Sequence, residues 1–328
     1  MPFRSCRPAL IALPAMLVAC TLAAWPARSQ TPYPGQTIKL LVPNAAGGLP
    51  DTVARIVGRR LQERLAQSVP IENRPGANGR VAVAALLGLP ADGYTLLVTD
   101  GAILSINPLL HASLSYGPGD ILPIAMLARA PLFLAVHPKV PTATMAEFIA
   151  YARARPGQLN YGSSGVGSTH HLSMEAMNAS LGLVMVHVPF KGTGESVPAL
   201  LGGHIDVLFS AYPSLGGAAE GNQVRLLATN GVQRSAQAPN VPSLAEFIPG
   251  FDFAPVIGIF GRSGTPPPVV EKIAAEALAV VREPEVVRQL AVVGVEPAGA
   301  GPPEFASVLR AETQRATEAV RAAGIKPK

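Results

Sequence analysis

The chain has 328 residues, 48% of them hydrophobic and 14% charged, with 26 Lys and Arg against 21 Asp and Glu. That length is ample for two compact domains around a large core, and no Lys/Arg cluster marks a nucleic-acid face. Cys6, Cys20 and the single tryptophan, Trp25, all lie in the first thirty residues.

Those thirty residues read as a secretory leader. Arg4 and Arg7 form a basic start, Leu10 to Ala24 an apolar stretch, and Ala27-Arg28-Ser29 a small-x-small cleavage site before Gln30. Residues 1–29 are therefore expected to be removed on export. A membrane span is the competing reading, but the run is about 15 residues and contains Pro14, short of the roughly 20 that a bilayer needs. Leu17-Val-Ala-Cys20 keeps a lipoprotein signal open, with Cys20 as the acylated first residue. Without the leader, 23 basic residues face 21 acidic ones, and disulfides are impossible although the compartment would allow them.

The first strand is expected over 38–42, followed by the loop Pro43-Asn-Ala-Ala-Gly-Gly-Leu-Pro50 and a helix over 50–66 whose Val53, Ile56, Val57, Leu61 and Leu65 share one face. Strands at 95–98 and 132–136 and a helix over 144–155 come next. The same design then returns: a strand over 159–161, the loop in Tyr161-Gly-Ser-Ser-Gly-Val-Gly-Ser-Thr-His-His171, and a helix over 169–181. Further strands are expected at 184–188, 205–209, 224–228 and 256–260, and helices over 193–202, 267–282, 284–293 and 302–323. Phe305, Val308, Leu309, Ala316 and Val320 form one stripe of the last helix. This alternation predicts an α/β fold with mostly parallel sheets flanked by helices. Pro and Gly are abundant but dispersed at element ends, and no repeat or low-complexity segment appears.

The two loops are the functional signal. A glycine-rich turn before a helix aims bare backbone N–H groups at one spot, where the helix dipole also favours negative charge. Two such cradles, about 120 residues apart, suggest two lobes closing on one small anion. Candidate ligand contacts in the first loop are Asn44, Ala45, Ala46, Gly47 and Gly48, the glycines serving alternatively as a tight turn. Asp51 is either a first-turn acid or a contact to a ligand amine, hydroxyl or water. In the second loop the candidates are Ser163, Ser164, Gly165, Val166, Gly167 and Ser168, whose hydroxyls can cap the helix as well as donate to a ligand. His170 and His171 follow, one of them able to face the cleft. Lys191 is either a solvated charge or a cationic cleft wall, and Asp206 a loop cap or a ligand contact.

Motifs in a fixed order extend this reading from about residue 33 to about residue 300. They include Val42-Pro…Gly47-Gly48…Asp51-Thr-Val-Ala-Arg55, Glu72-Asn-Arg-Pro-Gly76…Gly79, Asp92-Gly-Tyr-Thr-Leu-Leu97, Asn107-Pro108, Tyr161 to Ser168 with His171-Leu172, and His187-Val-Pro-Phe-Lys-Gly192. Leu201-Gly-Gly203…Asp206, Arg234-Ser235 with Val241-Pro-Ser243, Pro249-Gly-Phe251 and Gly264-Thr-Pro266 complete the series. In these the chain resembles the Bug-type periplasmic receptors of tripartite tricarboxylate transporters. The resemblance implies a two-lobed Venus-flytrap fold, a type II periplasmic binding protein. Lobe 1 would be residues 33–131 plus 255–328, lobe 2 residues 132–254. It further implies a small carboxylate held by backbone amides, integral membrane transporter subunits as partners, a monomer, and neither cofactor nor metal. The chain departs from the family at Asn44, where an aromatic is usual, at Ala46, where proline is usual, and at Ala254-Pro-Val-Ile-Gly258, where a tryptophan is frequent, so a relative's substrate does not transfer.

An enzyme is disfavoured. Gly162-Ser-Ser-Gly-Val166 is not G-x-S-x-G, Gly165-Val-Gly-Ser-Thr-His170 lacks the third glycine of G-x-G-x-x-G, and no P-loop or H-E-x-x-H occurs. The alternative role is a ligand sensor that presents its closed form to a membrane histidine kinase.

Overall fold

The computed structural model describes residues 33–327 together with Met1, so the leader, with Cys20, lies outside the described residues. Strand β1 (Lys39–Val42) leads into helix α1 (Leu49–Leu65), followed by β2 (Ile71–Asn73), α2 (Arg80–Leu87) and β3 (Thr95–Asp100). Two short helices, α3 (Ala102–Ser105) and α4 (Asn107–Leu110), precede β4 (Ile121–Arg129). The chain then builds β5 (Leu132–Val136), α5 (Met145–Arg153), β6 (Asn160–Ser163), α6 (Thr169–Leu181), β7 (Val186–Pro189), α7 (Thr193–Leu201), β8 (Val207–Ala211), α8 (Tyr212–Glu220) and β9 (Arg225–Thr229). It ends with β10 (Val256–Arg262), α9 (Pro267–Val280), α10 (Pro284–Val292), β11 (Glu296–Ala300) and α11 (Pro302–Ala322).

The strands form two sheets, ordered β11-β4-β10-β3-β1-β2 and β7-β6-β8-β5-β9. The α/β character with flanking helices is as expected, but the pairing is mixed and not mostly parallel. β1 runs parallel to β2 and β3, and β6 to β7 and β8. β10 is antiparallel to β3 and β4, β11 to β4, and β5 to β8 and β9. The reason is the double crossing between sheets. β5 begins where β8 and β9 finish, with Leu132 opposite Ala211 and Phe133 opposite Thr229. β10 begins where β3 and β4 finish, with Ile257 opposite Asp100 and Val256 opposite Arg129. A strand that starts at the crossing must run against neighbours that end there.

The apolar stripe of α1 explains its docking. Val53, Ala54, Val57, Leu61 and Leu65 pack on Leu40, Val42, Leu96 and Val98 and against Ile273 and Ala277 of α9, each fully buried aliphatic side chain contributing about 1.5–3 kcal/mol. In the second sheet Leu134, Val136, Val207 and Phe209 are covered by Phe148 of α5 and by Met174 and Met177 of α6. Helix α11 joins the halves. Its Phe305 lies in the first sheet's core with Phe260, and its Ala316, Ala319 and Val320 meet Leu172 of α6 and Ile106.

Several elements depart from the periodicity. β4 contains Pro123 in a part of the strand that β11 does not pair, where a missing N–H is tolerated. β11 itself reads Glu-Pro-Ala-Gly-Ala at a sheet edge. α8 carries Gly216 and Gly217, weak helix formers that hide it. β8 starts at Val207, two residues later than expected, because Ile205 donates to Ala199 O and so finishes the turn after α7.

One buried acid of α11 gives a stability test. Glu312 Oε1 accepts from Ser105 Oγ at 2.8 Å, Oε2 is buried with no partner among the described residues, and burial pushes the carboxyl up to about 7. The native protein thus holds this proton more tightly than the unfolded chain does. Its contribution is complete below the ordinary value of 4.5 and is lost as pH rises through about 7. Glu312→Gln is expected to raise the urea midpoint at pH 8 more than at pH 5. An equal change at both values contradicts this account of Glu312.

Candidate functional site

The loops that follow β1 and β6 meet over a cavity of about 610 Å³. The first sheet contributes Pro43, Asn44, Ala45, residues 75–79, Thr99, Asp100 and side chains of α3 and α4; the second contributes Ser164 and residues 166–169. Of the expected contacts, Asn44, Ala45, Ser164, Val166, Gly167 and Ser168 therefore line one space. Ala46, Gly47, Gly48, Asp51, Ser163, Gly165, His171, Lys191 and Asp206 stand outside that lining.

Asp51 holds the first loop in shape. It is 1% exposed. Its Oδ2 accepts from Gly47 N–H and Arg55 Nε, both at 2.9 Å, and its Oδ1 from Asn73 Nδ2 at 2.8 Å. Burial pushes this carboxyl up, but the bonds from Arg55, Gly47 and Asn73 outweigh it and hold the group below the usual range. Asn73 Nδ2 also donates to Asn44 O at 3.0 Å, tying the loop tip to β2. Gly48 turns the chain closely over Asn44 and Ala45: a Cβ there would lie 3.2 Å from Ala45 O.

The second loop is tied in an analogous way by different groups. Ser163 is fully buried; its Oγ pairs with His187 Nε2 at 2.7 Å and accepts from Gly165 N–H at 3.1 Å. Gly167 N–H donates to His171 Nδ1 at 3.0 Å, and the His171 ring stacks on His187 with centroids 3.9 Å apart. Ser168 is the N-cap of α6: its Oγ donates to Gly165 O at 2.7 Å and accepts from His171 N–H at 3.3 Å. Gly165 and Gly167 have φ of 119° and 78°, values that favour glycine. Ser164 Oγ lies 2.8 Å from His170 Nδ1, so His170 touches a lining residue while His171 braces the loop from behind.

The two remaining candidates are engaged elsewhere. Asp206 pairs with Lys139 Nζ at 2.9 Å and accepts from Asn160 N–H at 2.8 Å. Lys191 is exposed, and its N–H donates to Glu195 at 3.1 Å.

Sequence reasoning assigned no site role to the turn at 75–79, to Thr99 and Asp100, or to Asn107. Gly76, Ala77, Asn78 and Gly79 all have positive φ, at 133°, 48°, 53° and 86°. Two non-glycine residues held there mark a strained turn of the kind concentrated at functional sites. Asn107 Nδ2 anchors it by donating to Asn78 O at 2.8 Å. The Pro-Gly and Asn-Pro signals at these positions were visible, but their convergence depends on long-range packing.

Among the described residues no Lys, Arg or His lines the cavity, and its one acidic side chain is Asp100. The N–H groups of Ala45, Ser164, Val166 and Thr169 have no acceptor among the described residues, and Thr169 opens the thirteen-residue helix α6. Such amides, with a helix N-terminus behind them, bind an anion without a cationic side chain.

Two α/β sheets whose strand–loop–helix turns meet over one polar cavity define a solute-binding receptor. The chain belongs to the tripartite tricarboxylate transporter family receptors (TctC), whose family model matches residues 53–325. It is similar to protein BugT of Bordetella pertussis, 31% identical over 322 residues that span 97% of this chain and 98% of BugT. Its fold is similar to Rpa4515 of R. palustris, solved with adipate (TM-score 0.76, 32% identity, 90% of this chain and 100% of that one). It is also similar to MatC of Rhodopseudomonas palustris, solved with bound malate (TM-score 0.69, 29% identity, 88% and 100%). The family is one of receptors and not of enzymes.

The histidines behind the second loop make it acid-sensitive. His171 Nδ1 accepts a hydrogen bond only while unprotonated, and burial lowers both His171 and His187 from 6.5 to about 4. The unfolded chain therefore binds these protons at higher pH. Their contribution to stability is complete above pH 6.5 and falls as pH drops through about 4. Imidazole NMR resonances of His171 and His187 are expected to titrate near pH 4, with the urea midpoint declining over the same window. Titration near 6.5 overturns this picture of the loop.

Proposed function

We propose that this chain is an exported, periplasmic receptor that captures a small carboxylate between its two sheets and delivers it to integral membrane subunits of a tripartite transporter. The observation that carries this reading is that two loops, on two sheets, bring amides unpaired among the described residues to one cavity that no described cationic side chain lines. The adipate and malate in the structures of the similar R. palustris proteins support the ligand class. In the reading proposed here, the lobes are residues 33–131 with 255–328 and residues 132–254. One carboxylate oxygen takes the amides of Ser164, Val166 and Thr169, and the 44–48 loop completes the shell. A ligand touching both loops binds the closed form better and shifts the population toward it. With the His170 Nδ1 hydrogen directed at Ser164 Oγ, the serine proton is left to donate to the ligand.

Gly167 packs directly against the first sheet's side of the cavity: a Cβ there would fall 2.5 Å from Leu110 Cδ1. Gly167→Ala is expected to prop the cavity open and abolish the thermal shift given by a carboxylate panel. Ser164→Ala loses one hydrogen bond to a charged group, about 1.5–3 kcal/mol, roughly a ten- to hundredfold weakening. Adding Leu110→Ala to Gly167→Ala should restore part of the shift by removing the clash. Full carboxylate stabilisation of a well-folded Gly167→Ala protein contradicts the assignment.

A further inference from the structure

We infer that the ligand carries a hydrogen-bond donor, an amine or a hydroxyl, at the end remote from its carboxylate, and that Asp100 selects it against dicarboxylates. The inference rests on the receptor reading above and names the substrate class of that site. Asp100 ends β3 in the first sheet, whereas the amides of Ser164, Val166 and Thr169 belong to the second. The lining also includes the apolar side chains of Ile103, Ile106 and Val166. The cavity thus offers amide donors from the second sheet, apolar side chains, and a carboxylate from the first sheet.

Local structure does not require the charge on Asp100. Its Oδ1 accepts from Ala102 N–H at 3.0 Å, a turn contact that a neutral Asn oxygen would make equally well. Its Oδ2 has no hydrogen-bond partner, and no Lys or Arg pairs with the carboxylate among the described residues. Glu312, whose Oε2 is buried without a partner among the described residues, lies against the adjoining Gly101 and adds no compensating cation. A ligand ammonium or hydroxyl placed there satisfies Asp100. Burial holds the Asp100 carboxyl above its usual range, so a charge there is costly unless it is partnered; a ligand ammonium supplies that partner, whereas a second carboxylate adds a like charge instead. The same logic makes polar mismatch a more effective discriminator than a small difference in apolar bulk.

The test is calorimetry on the mature chain at pH 7.5 with length-matched sets: 4-aminobutyrate, 4-hydroxybutyrate and succinate; 5-aminopentanoate, 5-hydroxypentanoate and glutarate; 6-aminohexanoate, 6-hydroxyhexanoate and adipate. In the set that fits, the amino or hydroxy member should bind about tenfold or more tighter than the dicarboxylate. Asp100→Asn, which keeps the turn contact, should bring the two toward equal affinity. Dicarboxylates binding as tightly as the donor-bearing members overturn the inference while leaving the receptor reading in place, and this comparison needs only the unaltered protein. A ratio unchanged in a folded Asp100→Asn protein overturns it too. Binding of none of the nine by folded protein overturns the receptor reading and this inference with it.

Discussion

An anion held without a cationic side chain depends on where the backbone points. Each loop must therefore be fixed by bonds that leave the outward amides unpaired. In the first loop Asp51 does this by engaging Gly47 N–H while Ala45 N–H stays without an acceptor. In the second, Ser163 engages Gly165 N–H and His171 engages Gly167 N–H, while Ser164, Val166 and Thr169 remain. Buried polar side chains thus act as scaffolds for the cradles. Preorganised amides of this kind bind with little reorganisation, because their ordering was completed on folding.

The same economy governs the crossing between sheets. Asn230, fully buried after β9, accepts at Oδ1 from Leu132 N–H at 2.8 Å and donates from Nδ2 to Phe253 O at 2.8 Å and to Ser173 Oγ at 3.1 Å. It therefore ties both passages of the chain to α6. Arg129 at the end of β4 donates to both oxygens of Asp252 at 3.0 and 2.9 Å, and Arg315 of α11 stands 3.5 Å from the same carboxylate. These contacts bind the two crossings to each other.

Much of this was legible because the signal was local. β1, α1, β6 and α6 announce themselves by periodicity, and Gly47-Gly48 and Gly162 to Gly167 interrupt it where turns occur. Elements defined by context were not legible: β4 carries Pro123 where β11 leaves it unpaired, β11 carries Pro297 at the sheet edge, and α8 contains two glycines. The roles of individual acids were hidden for a related reason. Asp51, Asp100 and Asp206 look alike in sequence, yet one is enclosed by Arg55 and Asn73, one opens onto the cavity, and one pairs with Lys139. Arg55 stands four positions from Asp51, but Asn73 is 22 positions from it and Lys139 is 67 from Asp206 (206 − 139), so local sequence distinguishes these acids only in part.

The central claim is that backbone amides of two loops hold the carboxylate. An amide NMR titration of the mature chain with the tightest-binding carboxylate tests it most directly. The account predicts large downfield shifts of the Ser164, Val166, Thr169 and Ala45 N–H resonances, saturating together at one equivalent. Saturation with those four resonances unmoved, and the largest changes instead around Lys191, Lys139 or another cationic side chain, would contradict it.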